Sequence, residues 1–188
     1  MTRRSSPVWL PFGAMALGLA CASAETAPPP RTAARELVMA YDDARPTGTM
    51  AFPSPDYESV VRFQLPDGEH KPLRLLLQAE AAGELEITIY ESTLLETPGE
   101  PLRKITRSLA KEDLSNGKDG RWVVEDLDDM KPLKGVVWIG VHKLGGEPTI
   151  WASGVVSGQS YVRNNDRKSP MGLLPTKRTP MIRLELAN

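Results

Sequence analysis

The chain has 188 residues, 40% of them hydrophobic and 25% charged, which is enough for one domain with a hydrophobic core. Its formal net charge is −1 and its 23 lysines and arginines form no basic block, so it lacks the concentrated positive charge that supplies most of the affinity of nucleic-acid-binding proteins. Cys21 is the only cysteine, which excludes intramolecular disulfides, thiol nucleophiles and thiolate metal sites from the rest of the chain.

The first 24 residues have the three parts of a secretory signal peptide. Two arginines come first, an apolar run follows at residues 8–22, and the segment closes on the small residues Ala22-Ser23-Ala24. The apolar run is shorter than the roughly 20 residues that a membrane-spanning helix needs. We therefore predict a chain exported to the periplasm, outer membrane or cell surface of a bacterium, with residues 1–24 as a cleaved signal peptide.

Cys21 leaves a second interpretation of this segment open. Bacterial lipoprotein signals end in a Leu-small-small-Cys sequence, whose cysteine becomes the lipidated first residue of the mature chain. Here Ala20 fits that sequence, whereas Leu19 and Gly18 do not. In this interpretation residues 1–20 are the signal, and a lipid on Cys21 tethers the protein to a membrane.

A proline-rich linker is predicted at residues 25–35, followed by one β-sandwich domain over residues 36–188. Within the domain, apolar and polar residues alternate, as in a strand with one face in the core and one in water. The clearest case is Leu85, Ile87 and Ile89, which alternate with polar residues. The same alternation occurs at residues 60–65, 73–78 and 182–186.

The segment at residues 135–142 is apolar on both faces, which predicts a central strand covered on both sides. Turn residues separate the segments, for example Pro66-Asp67-Gly68 and Gly145-Gly146. About nine short strands at this spacing predict an all-β fold, a single antiparallel β-sandwich without a long helix. The remaining strands are predicted at residues 36–41, 102–109, 122–127, 149–155 and 159–163.

Six sequence elements follow one another in a distinctive order: Tyr41-Asp42-Asp43, Val61-Arg62-Phe63, residues 87–91, residues 122–127, residues 138–141, and Met181-Ile182-Arg183. In this order the chain resembles a broad group of bacterial exported jelly-roll, galactose-binding-like β-sandwich modules. That group commonly has glycine after Tyr-Asp-Asp, where this chain has Ala44. The resemblance implies a jelly-roll fold and a non-catalytic binding or structural role, and it implies no catalytic residues.

Three acidic residues, Asp126, Asp128 and Asp129, lie close together after a predicted strand. Carboxylate oxygens are preferred Ca²⁺ ligands, so these residues are candidates for a structural calcium site, with a solvated acidic loop as the alternative. No other cofactor is predicted, because His70 and His142 are far apart in the sequence and no serine lies in a nucleophile motif. We therefore predict that the protein is not an enzyme.

Aromatic and polar residues late in the chain are candidates for a binding patch: Trp151, Tyr161, Arg163, Asn164 and Asn165. The sequence leaves two functions open. One is a non-enzymatic accessory or structural protein of a bacterial envelope or surface assembly, which acts through contacts with other proteins. The other is a carbohydrate-binding module, because exposed aromatic rings can stack on sugars. Nucleic acid is not an expected partner, and a membrane is expected only through a lipid on Cys21.

Overall fold

The structure is a computed structural model that describes residues 36–118, 120–164 and 172–187. The predicted signal peptide, Cys21, the linker and Asn165 lie outside these residues. The described chain forms two antiparallel β-sheets with one core between them, which confirms the predicted all-β sandwich. Its twelve strands are β1 (Glu36–Met39), β2 (Pro46–Ala51), β3 (Tyr57–Gln64), β4 (Pro72–Leu77), β5 (Ala79–Ser92), β6 (Pro98–Leu109), β7 (Val123–Asp126), β8 (Val136–Ser153), β9 (Ser160–Asn164), β10 (Leu174–Pro175), β11 (Thr179–Pro180) and β12 (Ile182–Ala187).

The prediction of about nine strands was wrong in two ways. The six-residue strand β2 and the two-residue strands β10 and β11 lack the alternation that marks a strand in sequence. Conversely, the two strands predicted at residues 135–142 and 149–155 are one strand, β8, with Gly145-Gly146 inside it. Gly83 on β5 lies opposite Gly146, and a Cβ on Gly83 would come within 2.6 Å of the Pro148 side chain. The paired glycines let two long strands bend together at a bulge instead of ending there.

The strand order is that of a jelly roll. The smaller sheet has the order β1-β12-β4-β7, and the larger has β10-β9-β3-β8-β5-β6, with β2 and β11 paired to the second half of β8. Without β2, β9, β10 and β11, which extend the larger sheet, the eight strands that remain are ordered 1-8-3-6 in one sheet and 2-7-4-5 in the other. The chain therefore passes repeatedly between the sheets, as in two interlocked Greek keys.

The core lies between the inner faces of the two sheets. Leu85, Ile87 and Ile89 are fully buried there, as the alternation in the sequence predicts. A second, smaller cluster of buried apolar residues lies on the opposite face of the larger sheet and is centred on Trp138. The larger sheet is thus covered over part of both faces, which is why β8 is apolar on both sides.

The turn after Tyr41-Asp42-Asp43 forms without the glycine that the resembled modules have. Ala44 has a φ of +59°, in the left-handed region that residues with a Cβ adopt at a cost. The turn is held by the Asp42 carboxylate, whose Oδ1 accepts a hydrogen bond from the Ala44 backbone N–H at 2.8 Å. The same carboxylate is buried and pairs with Arg183, whose guanidinium lies over the Trp122 ring.

Candidate functional site

The outer face of the larger sheet, turned away from the main core, carries several of the residues that the sequence singled out. Alternation along β3, β5, β8 and β9 places every second side chain on this face. The strand registers then align these side chains in rows. One row is Arg163, Glu58, His142 and Glu86, and the next is Tyr161, Val60, Gly140 and Thr88.

Glu58 is the centre of a buried polar cluster on this face. Its side chain is fully buried, and its Oε2 accepts a hydrogen bond from Arg163 Nε at 2.5 Å. Its Oε1 accepts a hydrogen bond from the Tyr90 hydroxyl at 2.8 Å, and the Arg163 guanidinium lies 4.6 Å from the Tyr90 ring centroid. Arg163, a predicted ligand-binding residue, is therefore committed to a contact within the fold.

Two further observations describe how tightly this cluster is enclosed. Burial raises the pKa of Tyr90 to about 12, and the neighbouring Glu58 carboxylate adds to this rise. The positive charge of Arg163 opposes it. A Cβ at Gly140, on the adjacent strand, would come within 1.9 Å of Glu58 Oε1. The carboxylate thus occupies the space that a side chain at position 140 would need.

His142 lies beside this cluster and faces Glu86. His142 Nε2 is 3.9 Å from Glu86 Oε1, which also accepts hydrogen bonds from Lys104 Nζ at 2.9 Å and from the Thr88 hydroxyl at 3.3 Å. Burial alone would raise the pKa of Glu86, but Lys104, His142 and Thr88 together hold it below its ordinary value. Glu86 thus lies between the side chains of Lys104 and His142, and its ion pair with Lys104 joins β5 to β6 and stabilises the sheet.

A cleft of about 330 Å³, which we call the Tyr161 cleft, adjoins the buried cluster. Tyr161 lies on its wall, with its ring centroid 5.6 Å from that of Trp138, which is only 1% exposed. Arg62 also lines the cleft and donates hydrogen bonds to Gln159 and Glu96, both at 3.2 Å. The cleft is therefore lined by one accessible aromatic ring, by a guanidinium already held by neighbours, and by Leu95, Glu96 and Thr97 from the turn that joins β5 to β6.

The turn that joins β5 to β6 projects two leucines into solvent, and we call residues 93–97 the leucine tip. Leu94 is fully exposed and Leu95 is 85% exposed. Thr93 fixes the turn, because its backbone N–H donates to Thr97 O at 2.9 Å and its hydroxyl oxygen accepts from the Leu95 and Thr97 N–H groups. Leu94 thus projects into solvent from a hydrogen-bonded turn, while Leu95, although largely exposed, also lines the Tyr161 cleft.

A groove runs along the outside of the same hairpin, and we call it the Leu102 groove. It consists of two adjoining hollows of about 540 and 320 Å³ that share Leu102, Pro132 and Leu133. Leu102 is 46% exposed. Lys131 lies at one end of the groove and Lys134 at the other, so an apolar floor has basic residues at its rim.

The structure does not bring Trp151 together with Tyr161. Trp151 lines a separate open hollow of about 570 Å³, with Glu80, Lys111 and Asn116 among its neighbours. Its indole is half-buried, and Nε1 donates to the backbone oxygen of Ser115 at 2.9 Å. Asn164 is half-buried at the end of β9 and lies opposite Tyr57, and Asn165 is outside the described residues.

The acidic residues proposed as calcium ligands are exposed and point to different partners. Asp129 pairs with Arg103, and Asp126 lies opposite Arg74 in the β4–β7 ladder. Asp128 is exposed in the turn that follows. Across residues 36–118, 120–164 and 172–187, no three histidine, cysteine or acidic side chains are grouped so that they could hold a metal ion. The calcium site stays a prediction from sequence without support from geometry.

Sequence reasoning did not identify the leucine tip or the Leu102 groove. One signal was present, because Leu94 and Leu95 are adjacent apolar residues directly after a strand with strict alternation. Two neighbours cannot both continue the inward face of a strand, so at least one must leave the core. The groove has no such signal, since it combines β6 with a loop some thirty residues later.

No protein-family model and no curated protein matches this sequence. Within the described part of the chain, no helix is both long and apolar enough to cross a membrane. The function must therefore be argued from the surface features of the sandwich itself.

Proposed function

We propose that this chain is a non-enzymatic accessory or structural protein of a bacterial envelope or surface assembly, and that it acts by binding other proteins through the leucine tip. The observation that carries the proposal is the exposure of Leu94 and Leu95 on an ordered turn. Large apolar side chains held in solvent, next to an apolar groove, are typical of protein interaction sites.

The state of the polar groups supports a binding role over catalysis. Glu58, Arg163 and Tyr90 engage one another, and Glu86 is shared among Lys104, Thr88 and His142. A catalytic acid, base or nucleophile needs access to a substrate atom. These groups instead face partners inside the fold, where they stabilise the sheet.

The proposal is tested by cross-linking and affinity isolation from bacteria that express the full chain. The tip variant Leu94→Ser/Leu95→Ser is compared with the wild type and with Leu144→Ser, a control that alters another exposed leucine. We expect proteins that are captured by the wild type and the control and lost with the tip variant. Equal capture by all three chains, or capture by none, would reject the proposal.

Carbohydrate binding is the second candidate, and the Trp151 hollow is the observation that favours it. A half-exposed indole beside Glu80, Lys111 and Asn116 offers a stacking surface with polar groups around it. On a glycan array, Trp151→Ala should abolish binding that Tyr161→Ala leaves unchanged, because the two residues lie in separate hollows. If the wild type binds no glycan on the array, carbohydrate binding is rejected.

A further inference from the structure

We propose that the partner of the leucine tip is a second copy of this chain, whose Leu102 groove receives it. This inference rests on the protein-binding function proposed above and names the partner for the same surface. The protein then carries both halves of its own contact, a projecting apolar turn and an apolar groove.

The two surfaces match in polarity. The tip presents Leu94 and Leu95 with almost no cover from the rest of the protein. The floor of the groove is apolar, and its central residue, Leu102, is half exposed and available for contact. Placing the leucines in the groove would remove apolar surface from water on both copies.

Their charges are complementary. Residues 93–100, which include the tip, contain Glu96 and Glu100 and no basic residue, and Glu96 is paired with Arg62 at 3.2 Å, so Glu100 is the uncompensated charge of this turn. Residues 130–134, which form one side of the groove, contain Lys131 and Lys134 and no acidic residue. The other charged residues that line the groove are Glu91, Arg103 and Asp129, of which Arg103 and Asp129 pair with each other, so the groove keeps one more basic than acidic residue. A tip of negative charge would thus approach a groove whose rim is positive, which favours this pairing and its orientation.

The lysines of the rim are available for such a contact. Lys131 makes no ion pair with any residue that the structure describes. Lys134 has only a 3.9 Å contact with Glu69, and the side chains of Lys134 and Glu69 are both largely exposed. Neither lysine has to give up a buried interaction when a second copy binds.

The position of both features on one hairpin favours a closed pair of copies. Leu95 and Leu102 are seven residues apart, so their backbones are at most about 25 Å from each other. Because the two features are so close, two copies related by a two-fold axis can each place the tip in the other's groove. Reciprocal contacts of this kind define a two-fold dimer, the commonest symmetry of homo-oligomers.

A lipid bilayer is a poorer match for the tip. Glu100 beside it and Glu96, which is already paired with Arg62, offer no attraction to the negative surface of a membrane that contains anionic lipids. Interfacial segments that insert apolar side chains usually carry lysine or arginine beside them, which this turn lacks.

The test uses analytical ultracentrifugation of protein obtained by expressing the full chain. The tip variant is Leu94→Ser/Leu95→Ser, which removes apolar surface without adding charge, the groove variant is Lys131→Glu/Lys134→Glu, and Leu144→Ser is the control. We expect the wild type and the control to form dimers at concentrations up to about 1 mM. Each of the first two variants alone should associate at least about tenfold more weakly. Circular dichroism verifies that all chains fold alike.

Mixing the two variants gives the decisive measurement. Each mixed pair retains one intact contact, between the tip of the groove variant and the groove of the tip variant, so the mixture should associate more strongly than either variant alone. A monomeric wild type, a tip variant that dimerises like the wild type, or a mixture no stronger than its components would overturn the inference. If tip-dependent capture of a different envelope protein persists in that case, the proposed function stands without self-association. If neither self-association nor tip-dependent capture is observed, both the inference and the proposed function are rejected.

Discussion

A buried carboxylate on the outer face of a β-sheet needs hydrogen-bond donors and also space, and Glu58 has both. Arg163 and Tyr90 supply the donors, while Gly140 on the neighbouring strand supplies the space. Because the carboxylate is held on both oxygens, it cannot move aside without breaking one of these contacts. Glycine is thus required at position 140 because the Glu58 side chain occupies the space beside it.

We expect Gly140→Ala to destabilise the protein by about 1–3 kcal/mol, since the new Cβ would overlap Glu58 Oε1. Urea unfolding measures the effect. Gly145→Ala is the matched control, because its Cβ would meet only ordinary contacts, the nearest at 3.5 Å. In a Glu58→Ala background the cost of Gly140→Ala should fall, since the overlapping carboxylate is then absent. An equal cost in both backgrounds would contradict this explanation.

Ala44 stores a small amount of backbone strain, because its φ of +59° suits glycine better than alanine. Replacing it with glycine removes about 1 kcal/mol of strain from the folded state. Glycine also raises the conformational entropy of the unfolded chain, which cancels part of this stabilisation. We expect Ala44→Gly to raise the thermal midpoint slightly. Ala51→Gly in β2 is the control and should lower the midpoint. A lower midpoint for Ala44→Gly would show that the turn is not strained.

At the scale of elements, the edges of the two sheets are joined along one side of the sandwich by Arg107 on β6. Its Nη1 is 3.4 Å from Glu125 Oε1 on β7, and its Nη2 is 3.1 Å from Asp113 Oδ1. Burial raises the pKa of Glu125, and Arg107 opposes the rise. The edge strands of different sheets are therefore connected by a contact that depends on the ionisation of Glu125.

The sign of the pH effect follows from this shift. A raised pKa means that the folded state holds the Glu125 proton more tightly than the unfolded chain, so ionisation costs stability as the pH rises through the folded pKa. Arg107 reduces that cost only when the carboxylate is charged. Arg107→Ala should therefore lower the free energy of unfolding by about 1 kcal/mol at pH 7 and by less near pH 3.

Denaturant unfolding at the two pH values measures this difference. Lys134→Ala, which removes a charge from an exposed and distant pair, should have almost no effect at either pH. An equal loss of stability for Arg107→Ala at both pH values would show that Arg107 acts through packing alone.

Periodicity in the sequence was sufficient for the strands that contribute to the core. Leu85, Ile87 and Ile89 alternate with polar residues, and burial of one face is what selects such a pattern. It was insufficient for β2, β10 and β11, which pair at the margins of the larger sheet and have no uniform face to bury. Gly83 inside β5 and Gly145-Gly146 inside β8 resemble turn residues in the sequence, because a bulge and a turn both favour glycine.

The candidate site was predicted less well than the fold. Tyr161 and Trp151 were identified as exposed aromatics, but sequence separation contains no information on which hollow each one lines. Arg163 was expected to face a ligand, whereas its partner Glu58 lies 105 residues earlier and is visible only in the folded chain. The leucine tip and its groove depend on the same kind of long-range arrangement.

At the scale of the whole molecule, the domain must be stable without disulfides, because the only cysteine precedes it. A continuous core between two sheets provides that stability. The sequence predicts that export removes residues 1–24 together with Cys21. Cells fed a radioactive fatty acid should then yield an unlabelled protein whose first residue is Glu25. A label that is lost with Cys21→Ser and retained with Ser23→Ala would establish the lipoprotein interpretation instead.

The pairing of β1 with β12 has a consequence for anything attached to this protein. Glu36 lies opposite Ala187, the Ala187 N–H donates to Lys71 O, and the adjacent His70 bonds with Leu133 in the groove wall. The chain thus enters and leaves the domain within a few residues of the Leu102 groove. A fluorescent protein fused at the C-terminus would crowd that groove, whereas the same label inserted in the loop between β6 and β7 would lie at the other end of the smaller sheet, because β7 begins opposite Leu77 and ends opposite Arg74.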